Sequence, residues 1–320
     1  MNTKIILIIW GDPDSIFSEI LIKSLKRYKN KKPIVLIGSY KLLIDQIHLL
    51  NLNFNTNKIN IIKKDFSNIK KNKINLINVD YKYQDPFEKS VDKKKFISRC
   101  FNIAFFLIRK FKIKALINGP INKKDFLQKK YIGITEYIAS EFNIKKIGML
   151  IYNKKLSVCP VTTHLPLKLV SSKISKLLIL EKIIILNKFF RDFLKKKPKI
   201  AIAGLNPHNE SFLEFNEDKK IVFEAIKMAN KKNFLIKGPF PADTIFLKSL
   251  RNQFDVIIGM YHDQVLTPFK TLFEYDGINI TMGLPFIRVS PDHGPNINMV
   301  GKNISNPTSL IRALEFLDKR

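Results

Sequence analysis

The sequence predicts an α/β fold in which helices cover a largely parallel sheet. Short apolar segments rich in β-branched residues alternate with longer amphipathic segments along almost the whole chain of 320 residues. This order is typical of strands joined by covering helices. Hydrophobic residues make up 45% of the chain, enough for a substantial core at this length. We therefore expect one large or two medium domains.

The individual elements follow from hydrophobic periodicity and from the turn residues between the apolar runs. The expected strands are 5–10, 34–37, 75–79, 115–118, 146–152, 156–161, 200–204, 234–237, 256–260 and 278–282. The expected helices are 16–29, 40–50, 91–112, 136–142, 175–195, 219–231, 262–272 and 306–318. The Asn- and Lys-rich stretch 51–72 has few packing signals and is interpreted as a surface excursion.

Two features of the chain bear on its compartment. No apolar run reaches the ~20 residues that span a bilayer, and the first residues, MNTKIILIIWGDPD, lack the charged segment and cleavage site of a signal peptide. The two cysteines, Cys100 and Cys159, lie in apolar segments, so a disulfide framework is excluded. We therefore expect a cytoplasmic protein without a membrane partner.

The net charge of +29 raises the question of a nucleic-acid partner. Only eight of the 56 basic residues are arginine, the side chain better suited to reading bases and phosphates. The lysines lie in small dispersed clusters, such as 93–95 and 195–197, without interleaved aromatic residues. With the abundance of Ile, Asn and Phe, this indicates AT-rich coding. We expect no nucleic-acid partner and a mild attraction for anionic small substrates.

Three of the five histidines follow predicted strands: His164, His208 and His262. In an α/β protein, such strand ends can converge on one crevice. Neutral imidazole is a common ligand of catalytic divalent metals, and three protein ligands leave a position open for substrate or water. The alternative is three unrelated histidines, because no local HxxxH or CxxC spacing supports a metal site.

The last third of the chain offers groups that could hold an anion. Lys270 falls about two helical turns after His262. Arg288 lies in the apolar segment GLPFIRV, and Asn279 lies on a predicted strand. The two cations could grip a phosphate or carboxylate, with Asn279 as a neutral hydrogen-bond partner. Alternatively, Lys270 is one more solvated lysine and Arg288 belongs to a structural ion pair.

Two carboxylates could serve the same region. Asp263 is adjacent to His262, and Asp243 lies in the proline-bounded segment GPFPADTIF. A carboxylate near a metal-bound histidine can be a further ligand, can orient the imidazole or can act as a general base. The alternative for both is a helix N-cap. No GxGxxG follows the first strand, so the standard Rossmann dinucleotide fingerprint is absent.

Several longer segments together carry a family resemblance. VTTHLPLKLV, IAIAGLNPHNE, GPFPADTIF, MYHDQVLTPFK and INITMGLPFIRVSPDHG closely resemble the 4-hydroxythreonine-4-phosphate dehydrogenase family of vitamin B6 biosynthesis. The first strand with its GDP turn, NGPINK and GITEYIA extend the resemblance over most of the chain, in order and with compatible spacing.

The resemblance implies a fold, a reaction and partners. The fold is the isocitrate/isopropylmalate dehydrogenase-like α/β fold, with two subdomains and the active-site cleft between them. It implies a single two-lobed unit over 1–320, with approximate lobes 1–130 plus 255–320, and 131–254. The reaction is the NAD-dependent oxidation of 4-phosphooxy-L-threonine at C3, with decarboxylation to 3-amino-2-oxopropyl phosphate, in pyridoxine 5'-phosphate biosynthesis. NADP is the alternative cofactor, and the divalent metal is Zn, Mg, Co or Mn. The resemblance also implies a homodimer whose subunits share each active site.

The resemblance assigns roles to individual residues. The metal ligands are His164, His208 and His262. The substrate-binding residues are Thr135, Lys270, Asn279 and Arg288. DHGPNINMVGKNISNP resembles the adenosine-side cofactor loop of the wider superfamily, which implies cofactor contacts from His293, Gly294 and Asn303. The candidates for the base that takes the hydroxyl proton are, in order, Asp243, Asp263 and Lys123.

The chain also departs from the family pattern. The glycine-rich first turn reads GDPDSIFSE, and the loop after His208 lacks its glycine. The histidine that normally precedes Thr135 is Ile134, and the HK pair after NGP is Asn122-Lys123. Isoleucine cannot contact phosphate, so the phosphate pocket is altered. An alternative function is therefore a related metal-dependent dehydrogenase acting on another phosphorylated hydroxy acid, such as 4-phosphoerythronate or phosphothreonate. A non-catalytic binding protein is a further alternative.

Overall fold

The computed structural model describes residues 4–59, 68–71, 73–128, 130–209, 216–291 and 294–320. The chain divides into two compact units, Met1–Glu141 with Pro285–Arg320, and Phe142–Leu284. These bounds differ from the approximate lobes expected from the sequence. The reason is that the strand expected at 256–260 pairs on both sides with strands of the second unit.

Strands and helices alternate along most of the described chain. The strands are β1 (Ile6–Ile9), β2 (Ile34–Gly38), β3 (Thr56–Ile59), β4 (Ile74–Asn78), β5 (Ala115–Asn118), β6 (Gly148–Tyr152), β7 (Ser157–Pro160), β8 (Lys199–Ala203), β9 (Leu235–Phe240), β10 (Val256–Gly259), β11 (Ile278–Met282) and β12 (Ile287–Pro291). The helices are α1 (Phe17–Arg27), α2 (Tyr40–Leu49), α3 (Lys93–Phe111), α4 (Lys123–Leu127), α5 (Ile134–Glu141), α6 (Leu167–Lys173), α7 (Lys176–Phe189), α8 (Phe223–Asn230), α9 (Lys248–Arg251), α10 (His262–Phe273) and α11 (Thr308–Asp318).

The strands of the first unit follow the order β3-β4-β2-β1-β5-β12. Each neighbouring pair in this order is parallel. Strand β1 is buried along its whole length, as expected for a strand that is covered on both faces of a parallel sheet. Because β1, β5 and β12 are neighbours and parallel, their carboxyl ends open onto the same edge.

The strands of the second unit follow the order β11-β6-β7-β10-β8-β9. Strands β7, β10, β8 and β9 are parallel, whereas β6 runs antiparallel to both β11 and β7. The predicted α/β class is therefore found, with this antiparallel insertion in a largely parallel arrangement. The apolar core of the unit includes Val158, Ile257 and Phe269.

The structure corrects part of the interpretation of 51–72 as a surface excursion. Thr56–Ile59 forms β3, which pairs with β4 in parallel register. Its residues are only partly buried and carry little apolar surface, so the sequence offers no strand pattern there. Residues 60–67 and 72 lie outside the described residues. Strand β12 and the short helices α4, α6 and α9 were also not predicted.

The structure bears on the expectations about the cysteines and about membrane-spanning segments. Cys100 and Cys159 are both buried and free, so the predicted lack of a disulfide framework agrees with the structure. Within the described ranges, none of the helices combines the length and hydropathy that a membrane span requires.

Candidate active site

Three neighbouring parallel strands position the three candidate metal ligands. His164 follows β7, His262 opens α10 directly after β10, and His208 follows β8. Because β10 lies between β7 and β8 in the sheet, the three loops leave the same edge of the second unit side by side. The sequence prediction that these histidines occupy strand ends agrees with this arrangement.

Two of the three imidazoles lie close together. The ring centres of His164 and His262 are 5.9 Å apart. Two imidazoles that share one ion at a tetrahedral angle, with metal–nitrogen distances of about 2.1 Å, have ring centres about 5.3 Å apart, so the observed pair is about 0.6 Å wider than a bound pair. His262 Nδ1 lies 2.6 Å from Asp263 Oδ1. A proton donated along that contact leaves Nε2 as the lone-pair nitrogen, the form that binds a metal.

His208 and His164 both have an unusual backbone conformation. The φ of His208 is +56° and that of His164 is +50°, a left-handed conformation that is uncommon for residues other than glycine and is concentrated at functional sites. Among the residues described, no group of three or more His, Cys, Asp or Glu is arranged to hold an ion. The donor chemistry and the His164–His262 spacing fit a divalent metal, and His208 as third ligand stays a prediction.

The two candidate carboxylates are not helix caps. The N-cap of α10 is Tyr261 and that of α9 is Leu247, so the N-cap alternative is wrong for Asp263 and for Asp243. Asp263 is exposed in the first turn of α10 and contacts the His262 ring, which suits a group that orients the imidazole. Asp243 is exposed in the turn that precedes α9. Its role as a base stays a prediction.

Lys270 and Asn279 also belong to the second unit. Lys270 is half-buried on α10, and burial lowers the pKa of its ammonium group. Asn279 is partly buried on β11, opposite Ile151 of β6. A half-buried ammonium is a stronger electrostatic partner for an anion than a fully solvated one. This setting distinguishes Lys270 from a lysine that is only solvated.

The first unit contains a buried arginine. Arg288 on β12 is only 3% exposed. Its Nε donates to Asn118 Oδ1 at 2.7 Å, and its Nη1 donates to Thr135 Oγ1 at 3.2 Å. Burial lowers its pKa to about 10, while the carboxylate of Glu136 opposes that change. The guanidinium therefore stays charged at neutral pH, held in a fixed orientation by two neutral oxygens, and is suited to bind an anion.

Asn118 is a site residue that the sequence reasoning missed. It is the last residue of β5, in the segment ALIN, and it is buried. A polar side chain at the carboxyl end of an otherwise apolar parallel strand is the signal that could have identified it. Thr135 was predicted, and the structure places its hydroxyl against Arg288.

The structure shows the surroundings of two departures from the family pattern. Ile134 is the first residue of α5 and is buried, so its side chain packs in the interior. Lys123 begins α4 and is exposed, directly after Asn122, whose side chain caps that helix by accepting from Lys124 N–H. The backbone N–H of Asn122 in turn donates to Asp12 Oδ2 at 2.8 Å. Lys123 as a base stays a prediction.

A buried ion cluster underlies the first turn of the chain. Lys93 Nζ lies 2.8 Å from Asp14 Oδ1 and 3.2 Å from Asp12 Oδ2. Burial raises the pKa of Asp12 to about 6, against the opposing charge of Lys93. The sequence reasoning missed this cluster. Its signal was the pair of carboxylates in GDPD directly after a fully buried strand.

The candidate cofactor loop is described only in part. His293 lies outside the described residues. Gly294 is exposed, and among the described residues an added Cβ there would meet Asn296 Oδ1 at 3.6 Å. Asn303 has a left-handed φ of +56°, and its carbonyl accepts from Lys23 Nζ at 2.8 Å. Contacts of these residues with a cofactor stay a prediction.

Comparison with known proteins extends this description. The model of the family "Pyridoxal phosphate biosynthetic protein PdxA" matches residues 29–317. The 4-hydroxythreonine-4-phosphate dehydrogenase of Sulfurihydrogenibium sp. (strain YO3AOP1) is 38% identical over 313 residues, covering 96% of this chain and 95% of the relative. The D-threonate 4-phosphate dehydrogenase of Salmonella typhimurium (strain LT2) is 33% identical over 301 residues, covering 92% of both.

Solved structures show the same relationship. The crystal structure of 4-hydroxythreonine-4-phosphate dehydrogenase from Klebsiella pneumoniae superposes with a TM-score of 0.84 at 30% identity, covering 98% of this chain and 97% of that one. A β-decarboxylating dehydrogenase from Thermococcus kodakarensis shares the fold, with a TM-score of 0.51 at 12% identity, covering 97% of this chain and 81% of that one. The predicted fold and the family resemblance are thus confirmed. The chain is an oxidoreductase that belongs to the pyridoxal phosphate biosynthetic protein PdxA family of dehydrogenases.

Proposed function

We propose that the chain catalyses the NAD-dependent oxidation of 4-phosphooxy-L-threonine at C3, with decarboxylation to 3-amino-2-oxopropyl phosphate, in pyridoxine 5'-phosphate biosynthesis. The observation that carries this proposal is the His164–His262 pair, 5.9 Å apart on adjacent strand ends and next to the strand that leads to His208. Relatives named for this activity align over nearly the whole chain.

The three histidines would hold a divalent metal, which we expect to be Zn, Mg, Co or Mn. When bound, such an ion supplies Lewis acidity, which stabilises negative charge that develops on a substrate oxygen. Neutral imidazoles leave the ion its full charge, which strengthens this effect. Asp263 holds the His262 ring through the 2.6 Å contact with Nδ1, so Nε2 is the nitrogen left for the ion.

The cations bind and orient the phosphorylated substrate. Arg288 is fixed by Asn118 and Thr135, so it can hold a phosphate or carboxylate with little loss of conformational freedom. Lys270 adds a half-buried positive charge, and Asn279 adds neutral hydrogen bonds. Together they would position C3 against the nicotinamide.

The base that accepts the hydroxyl proton is Asp243, Asp263 or Lys123, in the order that the sequence suggests. The contact of Asp263 with His262 occupies one of its oxygens, which favours Asp243 for proton transfer. For the nicotinamide cofactor we propose NAD, with NADP as the alternative, bound by His293, Gly294 and Asn303.

We further propose that the protein is a cytoplasmic homodimer whose subunits share each active site. The support is an exposed apolar surface that follows His164 directly: Leu165 is 38% exposed, Leu167 69% and Leu169 42%. Apolar surface next to a polar site is typical of an interface. The mass in solution, measured by sedimentation, tests this proposal.

A related substrate is the second candidate, and one observation favours it. Ile134 is buried and apolar where the family pattern has a phosphate-binding histidine. One relative of similar identity is named D-threonate 4-phosphate dehydrogenase. The alternative substrate is therefore a phosphorylated hydroxy acid of the phosphothreonate or 4-phosphoerythronate type.

The decisive experiment follows NADH formation by absorbance with each candidate substrate, NAD and each of the four metals. We expect the highest kcat/KM with 4-phosphooxy-L-threonine, loss of activity with a chelator, and loss in His208→Ala. His48→Ala is the matched control, because His48 is an exposed histidine on α2 of the first unit. A faster reaction with a phosphorylated hydroxy acid would select the second candidate. Undiminished turnover in His208→Ala would refute the metal site.

A further inference from the structure

A buried glutamine joins two of the three strand ends that carry the histidines. Gln264 lies in the first turn of α10, two residues after His262, and is 9% exposed. Its Oε1 accepts from Met260 N–H at 2.6 Å, and its Nε2 donates to the Gly204 carbonyl at 2.7 Å. Met260 follows β10, and Gly204 follows β8. One side chain therefore ties the segment that bears His262 to the segment that leads to His208.

The same network continues on both sides of Gln264. Thr162 Oγ1 donates to the Met260 carbonyl at 2.8 Å, which ties the segment before His164 to the same residue. On the other side, the buried Asp218 carboxylate accepts from the N–H groups of Leu205 and Asn206 at 2.6 and 2.9 Å. Hydrogen bonds from buried polar side chains thus connect all three segments.

The packing around Gln264 leaves little freedom. A Cβ added to Gly259 would lie 2.8 Å from Gln264 Oε1 and 2.3 Å from Val265 Cγ1. A Cβ added to Gly204 would lie 2.8 Å from Asp218 Oδ1. Contacts this short show that the side chains rest directly on the two strand ends, which fixes the path of the backbone there.

We propose that Gln264 is a positioning residue for the metal site, setting the spacing of the His208 segment relative to His262. This inference rests on the proposed function, because it assumes that the histidines bind one ion. Residues that orient metal ligands without contacting the metal typically change metal affinity by about 10–100-fold when they are removed. Gln264 does not touch the ion; it acts through the two backbone segments.

The test is a titration of the purified full-length protein with Co²⁺, read by its visible absorption, which reports both affinity and coordination geometry. The substitution Gln264→Met keeps a side chain of similar size but removes both hydrogen bonds. We expect Co²⁺ affinity about 10–100-fold lower than in the wild type, with an altered spectrum. NADH formation in Gln264→Met should recover in part as the Co²⁺ concentration rises.

A matched control separates positioning from general destabilisation. Gln46 is also fully buried, and its Nε2 donates to the carbonyls of Pro13 at 2.9 Å and of Pro86 at 2.6 Å in the first unit. Gln46→Met therefore loses two comparable hydrogen bonds at a distance in sequence from any histidine of the site. We expect its thermal stability to fall, with Co²⁺ affinity equal to that of the wild type.

A second variant keeps the inference testable if Gln264→Met does not fold. Gln264→Glu preserves the acceptor for Met260 N–H and removes only the donor to the Gly204 carbonyl. A new negative charge alone would tighten Co²⁺ binding, whereas loss of positioning weakens it. Weaker binding supports the inference, and equal or tighter binding overturns it.

The outcomes also distinguish this inference from the proposed function. If the wild type binds no Co²⁺, both the proposed metal site and the positioning role of Gln264 are refuted. If the wild type binds Co²⁺ and Gln264→Met binds it equally well with the same spectrum, only the positioning role is refuted. A similar loss of affinity in Gln46→Met would also refute it, because the effect would then follow from stability alone.

Discussion

The buried carboxyl group of Asp12 predicts that the protein loses stability as the solution becomes less acidic. Asp12 is completely buried, and burial raises its pKa from the usual 3.8 to about 6, although Lys93 and the N–H of Asn122 oppose the rise. A carboxyl group with such a raised pKa holds its proton more tightly in the folded state. Its contribution to stability is therefore complete below about pH 4 and is lost as the pH rises through about 6.

The magnitude follows from the two pKa values of Asp12. One pKa unit corresponds to about 1.4 kcal/mol. The rise from 3.8 to about 6 thus amounts to about 3 kcal/mol between strongly acid and neutral solution. Roughly 1 kcal/mol of that loss falls between about pH 5 and about pH 7, a window in which ordinary carboxylates change their ionisation little.

Urea unfolding at a series of pH values measures this effect. Trp10 is the single tryptophan of the chain, lies directly after β1 and is completely buried, so its fluorescence reports unfolding of the first unit. In Asp12→Asn, the side-chain oxygen can still accept from Asn122 N–H but does not titrate. We expect the free energy of unfolding of the wild type, relative to Asp12→Asn, to fall by about 1 kcal/mol between about pH 5 and about pH 7.

The control for a change in net charge is Asp85→Asn, which removes an exposed carboxylate from the same unit. A difference between wild type and Asp12→Asn that stays constant over this pH range would refute the reasoning. So would a relative stability that rises with pH, because that sign belongs to a carboxyl group whose pKa is lowered on folding.

Three further predictions concern the site and the core. Asn118→Ala leaves the Nε of buried Arg288 without its 2.7 Å acceptor. We expect the free energy of unfolding in urea to fall by about 1–3 kcal/mol and the KM for substrate to rise. An unchanged KM would contradict the role of Arg288 in substrate binding. Asp263→Ala removes the contact with the neighbouring imidazole and should weaken Co²⁺ binding about 10-fold, whereas wild-type affinity would exclude an orienting role. Burial raises the pKa of Cys159 to about 12 and also raises that of Cys100. We therefore expect both thiols to react with a thiol reagent only after the protein unfolds. Rapid labelling of the native protein would contradict this prediction.

The sequence predicted two strands with the bounds that the structure has. Ala115–Asn118 is a buried, mainly apolar run, and Ile278–Met282 has an apolar residue at every second position. Thr56–Ile59 was missed because an edge strand needs no such run. Ile287–Pro291 was missed because prolines lie at and near both of its ends.

The sequence predicted those site residues that can be recognised from their immediate neighbours in the chain. The histidines were identifiable because each follows an apolar run, and the parallel order β7-β10-β8 makes the three strands neighbours. The hydrogen bond between Gln264 and Gly204 was not identifiable, since sixty residues separate its partners. The pairing of Lys93 with Asp14 was hidden for the same reason. Long-range partners of buried polar groups are set by packing, which periodicity does not encode.

The division of the chain has a consequence for the order in which the protein folds on the ribosome. The unit Phe142–Leu284 is continuous, whereas the other unit needs both Met1–Glu141 and Pro285–Arg320. Strand β12, the partner of β5, is synthesised only after the whole of Phe142–Leu284. The unit Phe142–Leu284 can therefore form all of its strand pairs before β12 exists. During that time the edge of β5 in the other unit stays uncovered. An uncovered strand edge is prone to association with other chains, so we expect the edge of β5 to be open to such association until β12 has been synthesised.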